Sequence, residues 1–508
     1  MRILRVIAII IFTFIGGYQV FAQTEDKVHL DQADSLIMVK LNGKELRKVV
    51  GNVVFRQKGT VLYCDSAYQD VVANALETFG HVRIVQGDSV TITGNKGYYD
   101  GNTKQAKMRG NVVLVDKTMT LYTEQLDYDM NASLAYYFGG GRIIDGDNIL
   151  TSQKGYYDTR TKLFSFKEVV KLVNPQYTLD SDTLQYSSTS KIAYFKGPTD
   201  ITGKTGNKLF TTDGQYNTIS QSSNFTARTT IDYDKYTLTG DSVYYDKQNE
   251  YGLARRNVVL FAKEDSTIVE GDIARYNGTT GISKVYGNAV MKNIVSGDTL
   301  YLTADTLVSV DDTVNRTRRL FAYHHVKIFK SDLQGKCDSL LYNFTDSTIY
   351  FFRDPVLWST GNQMLADSIH IQMANNKLDK MFLKTNAFVI SEDTLLNYNQ
   401  LKGRSMTAYF NKDSKMDRVF VDGNAESLYF ALGEGDTLLM GMNKMECAKM
   451  LIRFTENKVS TIRAITAPDA VFIPPHEIEE PARRLKGFAW RKEERPVRAD
   501  VLVRNKEE

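Results

Sequence analysis

Apolar and polar positions alternate with a period of two along most of the chain, the pattern of half-buried β-strands. A short phrase punctuates the alternation: an aromatic or basic residue, Gly, then Asn or His, then alternating apolar residues. It opens at Val50-Gly51-Asn52-Val53-Val54-Phe55 and returns at Phe79-Gly80-His81-Val82-Arg83-Ile84 and Arg109-Gly110-Asn111-Val112-Val113-Leu114. Altered copies follow at 138–143, 166–172, 195–201 and 227–233. Clearer ones return at Arg256-Asn257-Val258-Val259-Leu260, Tyr286-Gly287-Asn288-Ala289-Val290 and Tyr323-His324-His325-Val326-Lys327-Ile328, and the series ends with 353–357, 384–389 and 422–425. The stride is about 30 residues, which makes about thirteen repeats. Between copies stands a second phrase ending in Tyr with Asp or Asn, as in Gly97-Tyr98-Tyr99-Asp100, Leu126-Asp127-Tyr128-Asp129 and Gly155-Tyr156-Tyr157-Asp158. The polar stretch after each one predicts a hairpin turn, so every repeat holds two or three short strands. No segment carries a convincing helical period.

Arg83 and Lys327 sit between apolar neighbours, so those neighbours share one face of a sheet. That face predicts an interior stripe of Val53, Phe55, Val82, Ile84, Val112, Leu114, Val258, Leu260, Ala289, Met291, Val326 and Ile328. Arg83 and Lys327 then face water. Gly in the phrase suits a bulge, and Asn or His accepts left-handed backbone geometry better than most residues.

Composition narrows the class. With 42% hydrophobic and 24% charged residues the chain folds around a sizeable core. Its 63 basic residues nearly cancel its 60 acidic ones, which removes an electrostatic case for nucleic acid as a partner. Cys64, Cys337 and Cys447 are far apart, without the spacing of a zinc site. A disulfide between two of them stays open, although a large core needs no such staple.

The two ends differ from the repeats. Arg2 and Arg5 precede the apolar run from Val6 to Ile15, and Val20-Phe21-Ala22 follows, which predicts a secretory signal peptide over residues 1–22. The run is too short to span a bilayer. Residues 23–48 form a lead-in, 49–465 the repeat domain, and 466–508 a proline-containing C-terminal cap or tail. That tail carries Pro468, Pro474-Pro475 and Leu485-Lys486-Gly487-Phe488-Ala489-Trp490, and predicts either a cover over the last sheet edge or a docking peptide.

Candidate chemistry is sparse. Asp88-Ser89, Asp241-Ser242, Asp298-Thr299, Asp393-Thr394 and Asp436-Thr437 recur at matching places, which favours turn-capping carboxylates over a calcium array or a glycosidase pair. His81 and His325 occupy the Asn position of the phrase and read as turn residues. No nucleophile elbow, zinc-helix, phosphate-loop or dinucleotide pattern occurs. We expect no enzyme, catalytic residue, metal or cofactor.

The repeated Gly-Asn-Val phrase, alternating with Asp-x-apolar-x-Tyr behind a signal peptide, resembles the OstA-like (organic solvent tolerance) family over roughly Val49 to Phe454. Large Bacteroidetes-type members are the nearest in kind, including the Pro-Pro and Gly-Phe-x-Trp tail. The resemblance implies an all-β, elongated repeat β-jellyroll, an open, folded two-sheet stack of one or more consecutive modules. It also implies an apolar groove, here the stripe, for the acyl chains of lipopolysaccharide or a related glycolipid. The expected role is non-enzymatic conduction through the periplasm towards the outer membrane. Its partners would be other envelope transport proteins, joined by edge-to-edge β-pairing near Val49 to Phe55, and further copies of the chain. Two other readings remain at this level: an outer-membrane β-barrel, and an exported carbohydrate-binding or carbohydrate-active β-solenoid.

Overall fold

The computed structural model describes residues 26–502 except 88, 89, 118, 265, 296, 313, 314, 316, 360, 375, 376, 414, 456 and 457. The predicted signal peptide and the Asp88-Ser89 turn lie outside the described residues. The fold is all-β, with 36 strands and a few short helical turns towards the C-terminus among the described residues. It divides into two compact units, Met1–Lys167 and Glu168–Glu508.

In the first unit the strands Lys44–Gln57, Thr60–Asp70, Ala75–Gln86, Val90–Asp100, Gln105–Asp116, Met119–Asp129, Leu134–Asp145 and Asn148–Asp158 follow one another, each antiparallel to the next. Each repeat is thus one hairpin of two strands, longer than the short strands expected, because the phrase bends a strand without ending it. Gly51 and Asn52 adopt φ of 82° and 47°, Gly80 and His81 71° and 39°, Gly110 and Asn111 75° and 49°. Two successive left-handed residues cost little for Gly and Asn, whose side chains do not crowd the backbone as β-branched ones do. At each pair the register slips, between Val50 and Val53, Phe79 and Val82, Arg109 and Val112. Every strand therefore turns a corner and contributes one half to each of two sheets that face each other.

The corners are clasped from the neighbouring strand. Asn52 Nδ2 donates to Asp34 at 2.9 Å, and the His81 imidazole lies 2.8 Å from Asp65. In the second unit Asn257 donates to Asp241 at 2.7 Å, Asn288 to Asp272 at 2.9 Å, and His325 lies 2.9 Å from Asp305. Asp241 is thus a corner clasp, which corrects its reading as a turn cap. Asp298 and Asp393 do cap turns, accepting from the backbone N–H groups of Thr299 and of Leu395 and Asn397.

The second unit repeats the arrangement from Tyr251–Ala262 onward, through hairpins ending at Leu439–Thr455 and Lys458–Ile465. Between 192 and 246 the altered phrases break the strands instead of bending them, giving pieces such as Ile192–Phe195 and Thr199–Gly203. Pro198 supplies no N–H there and cannot continue a ladder.

The sheet edges overturn one expectation. The segment from Val49 to Phe55 is not an edge, because His29–Gln32 and Ser35–Leu41 pair along the outer side of Lys44–Gln57. These two are the outermost strands, and Ser35–Leu41 exposes Leu36, Ile37, Met38 and Leu41. In the second unit the last strands are Lys458–Ile465 and Asp469–Ile473, both paired to Leu439–Thr455 on one side only among the described residues. The tail does not cover that edge: Val459, Ile462, Val471 and Phe472 are all exposed.

Candidate functional site

The corners bring the apolar rows of the two sheets face to face. In the first unit Val53, Phe55, Val82, Ile84, Val112 and Leu114 are all at most 1% exposed. Leu76, Met108, Leu126 and Tyr137 are buried in the same unit. In the second unit Val258, Ala289, Val326 and Ile328 are buried, while Leu260 and Met291 are only half-buried. Arg83 is exposed, its guanidinium 4.5 Å from the centre of the Tyr63 ring, and Lys327 is half-buried.

Opposite the corners, the free ends of the two sheets form a mouth. In the first unit polar rungs span it. Tyr99 Oη donates to Gln57 Oε1 at 2.6 Å, Tyr128 donates to Gln86, and Tyr157 donates to Asp116 at 2.7 Å with Lys162 on the same carboxylate. These tyrosines directly precede the Asp of the repeated Tyr-Asp phrase, and the Asp beside each caps its hairpin turn, as in Asp100 accepting from Asn102 N at 2.8 Å. Burial, with Asp26 and Asp100 adding to it, pushes the Tyr99 phenol up to about 12, so it stays a hydrogen-bond donor at neutral pH. Gln57 also donates to the carbonyl of Gly101, and Gln69 and Asn74 hold the backbone of Val28. The lead-in is thereby strapped across the mouth.

The mouth of the second unit is covered differently. A single row runs across six strands in register: Gln334, Trp358, Gln363, Ile390, Gln400 and Leu428. The tail crosses it in the opposite sense to chain order. Gln400 donates to the Arg483 carbonyl and accepts from Leu485 N, both at 2.8 Å. Gln363 does the same with the Ala489 carbonyl and Arg491 N, both at 2.7 Å. Gln334 accepts from Arg495 Nε at 2.8 Å. Each of the first two amides pairs with the tail as a peptide group would. Leu485 sits among Phe388, Ile390, Leu428, Phe430 and Met442, with Phe488 and Trp490 against the same cluster.

Charge fastens the tail further. Arg491 forks onto Asp354 at 2.7 and 2.8 Å and onto Glu494, and Lys336 lies 2.6 Å from Glu494. Arg491 and then Lys336 hold the Glu494 carboxyl down to about 2. A depressed acid stabilises its contacts fully above its unfolded value of about 4.5 and loses that contribution as pH falls. We expect the tail to loosen between about pH 4.5 and 2, read as faster amide exchange at Leu485 and Arg491, and Glu494→Gln to flatten that dependence.

Sequence reasoning did not single out the rung partners or the three glutamines. Their signal is present but faint: Gln334 and Gln363 each follow a turn by two residues in successive repeats, and Gln57, Gln86 and Asp116 recur one repeat apart. The three cysteines are free and buried, so the open disulfide does not form among them. Burial, together with Asp65, drives the Cys64 thiol up to about 12, which makes it inert. Among the described residues no group of three potential ligands is placed to hold a metal ion, and no helix is long and apolar enough to cross a membrane.

Comparison with known proteins bears on this geometry. No curated protein matches the chain. Among solved structures, a crystal structure of LptH is similar, described as the LptA homologous periplasmic component of the conserved lipopolysaccharide transport device from Pseudomonas aeruginosa. It is 13% identical, covers 20% of this chain and 76% of that chain, and superposes with a TM-score of 0.18, too low to support an argument. A family model described as OstA-like protein matches residues 25–182, the stretch that holds the lead-in, the cornered hairpins and the tyrosine rungs. The resemblance carried by the Gly-Asn phrase is therefore borne out over residues 25–182, the stretch that is similar to the OstA-like family.

Proposed function

We propose that the chain is a non-enzymatic periplasmic protein that binds lipopolysaccharide or a related glycolipid by its acyl chains and passes it towards the outer membrane. One observation carries the reading: in each unit two sheets enclose an apolar interior whose open side is bridged by side chains and strap segments, not by a continuous ladder. Side-chain rungs separate at a cost of about 1 kcal/mol each, since water takes up both partners. An acyl chain entering there would replace water at ~0.8 kcal/mol per buried CH₂ while its polar head stays at the mouth. The OstA-like match over residues 25–182 supports this choice of ligand and compartment.

The outward faces favour it over a membrane barrel. Beside the buried positions stand Arg83, Lys96 and Lys107, charged and exposed where a barrel would meet lipid. The joint to neighbouring envelope proteins, or to another copy, is the apolar edge Ser35–Leu41, with Lys458–Ile465 and Asp469–Ile473 as the second. Exposed apolar edge strands of this kind pair with a partner strand.

The test is photo-crosslinking in cells that make lipopolysaccharide. A photoreactive residue at Val53, Leu114 or Val258 is expected to capture glycolipid, one at Ile37 to capture protein, and one at Arg83 neither. Glycolipid captured at Arg83 as efficiently as at Leu114, or at no interior position, would overturn the reading.

A further inference from the structure

The tail is bound to the second unit in an unusual manner. Beyond Ile473 it adds no strand to a sheet among the described residues. Its short helical turns Pro475–Glu477, Glu480–Arg483 and Lys492–Glu494 bury no residue, and within 474–502 the buried residues are Leu485, Pro496 and Val501. It is held by the amides of Gln334, Gln363 and Gln400, by ion pairs at Arg491, Lys492 and Glu494, by Arg498 on the Tyr301 hydroxyl, and by apolar side chains led by Leu485, Phe488 and Trp490.

Two of these features point to exchange rather than permanent closure. The glutamine amides bond to tail backbone, so once the tail leaves they face a mouth where water or a polar head group satisfies them equally well. The apolar side chains occupy a pocket of Phe388, Ile390, Leu428, Phe430 and Met442 that is chemically indifferent to its occupant. Leu485 and Phe488 fill it as two stretches of hydrocarbon would. The first unit uses the same device at its own mouth, where Gln57, Gln69 and Asn74 clasp the backbone of 26–28.

We propose that residues 474–502 are a displaceable strap that competes with the ligand's acyl chains for this pocket, so that the second unit accepts lipid only when the strap lifts. The proposal rests on the lipid-binding reading above and adds its regulation. In a closed–open equilibrium the apparent affinity is the intrinsic one multiplied by the open fraction. Removing the two amide clasps loosens the strap by about one to two net hydrogen bonds, which raises that fraction about tenfold.

The experiment uses the full mature chain and cis-parinaric acid, a fluorescent fatty acid, as the probe. Amide exchange at 483–495 is followed by mass spectrometry with and without the probe, and affinity is read from the probe's fluorescence. Probe binding is expected to speed exchange at Leu485 and Arg491 severalfold, and Gln363→Ala/Gln400→Ala to bind about tenfold more tightly than the parent. A chain ending after Ile473 serves as a second variant and is expected to bind at least as tightly as the double substitution. Equal affinity in all three chains, with tail exchange unchanged by the probe, would overturn the strap and leave lipid binding standing. Absence of binding in every chain would overturn both.

Discussion

Val112→Asp is expected to destabilise the first unit by roughly 3–5 kcal/mol, because it places a carboxylate with no partner in a dry interior. Val112 is 1% exposed and lies opposite Thr123 in the neighbouring strand. Gly94 is among its neighbours, and Met108 lies beside that glycine. Arg83→Gln, on the opposite face of its strand, is expected to cost at most about 0.5 kcal/mol, the worth of an exposed cation–π contact with Tyr63. With two units in the chain a single melting curve mixes two transitions. The measurement is therefore urea-dependent amide exchange resolved to strands Gln105–Asp116 and Met119–Asp129. Equal loss of protection in the two variants would mean that the faces are reversed.

The second large effect concerns a glycine that no turn requires. Gly155 has an ordinary φ, but a Cβ there would fall on the ring of Tyr137, and a Cβ at Gly141 would do the same from the other side. Tyr137 is fully buried and its hydroxyl lies 2.6 Å from Ser152 Oγ, so the ring has nowhere to go. Gly155→Ala is expected to cost about 2–3 kcal/mol through overpacking. In the background of Tyr137→Leu, which removes the obstructing edge, the same substitution is expected to cost at least about 1 kcal/mol less, a coupling that a double-mutant cycle measures. Additive costs would show that Gly155 serves some purpose other than making room for the ring.

These two cases separate what is local from what is not. Alternation with a period of two identifies the buried face of each strand, because side-chain direction follows from backbone pleat alone. Val53 through Leu114 were legible for that reason. The Gly-Asn and Gly-His pairs announce corners, since left-handed φ is a preference of single residues. The Tyr-Asp phrase announces hairpins, since an Asp capping the N–H two residues on is a contact within one turn.

The remainder depends on the angle through which each corner bends, summed over many strands. Tyr99 reaches Gln57 across 42 residues of chain, and the tail reaches Gln363 across 126 and Gln334 across 161. No local preference encodes such distances. The same applies to the outer edge: Ser35–Leu41 alternates less cleanly than the repeats, yet it is the strand that shields Val49 and Val50, while His29–Gln32 lies along Val54 and Phe55. It also applies to Leu260 and Met291, half-buried although their phrases match those of fully buried copies. By itself the sequence determined an all-β chain of cornered hairpins with one apolar face. Only the tertiary structure decided how the mouth between the two sheets is closed and which edges stay free, because closure joins residues that only the accumulated bend of the sheets brings together.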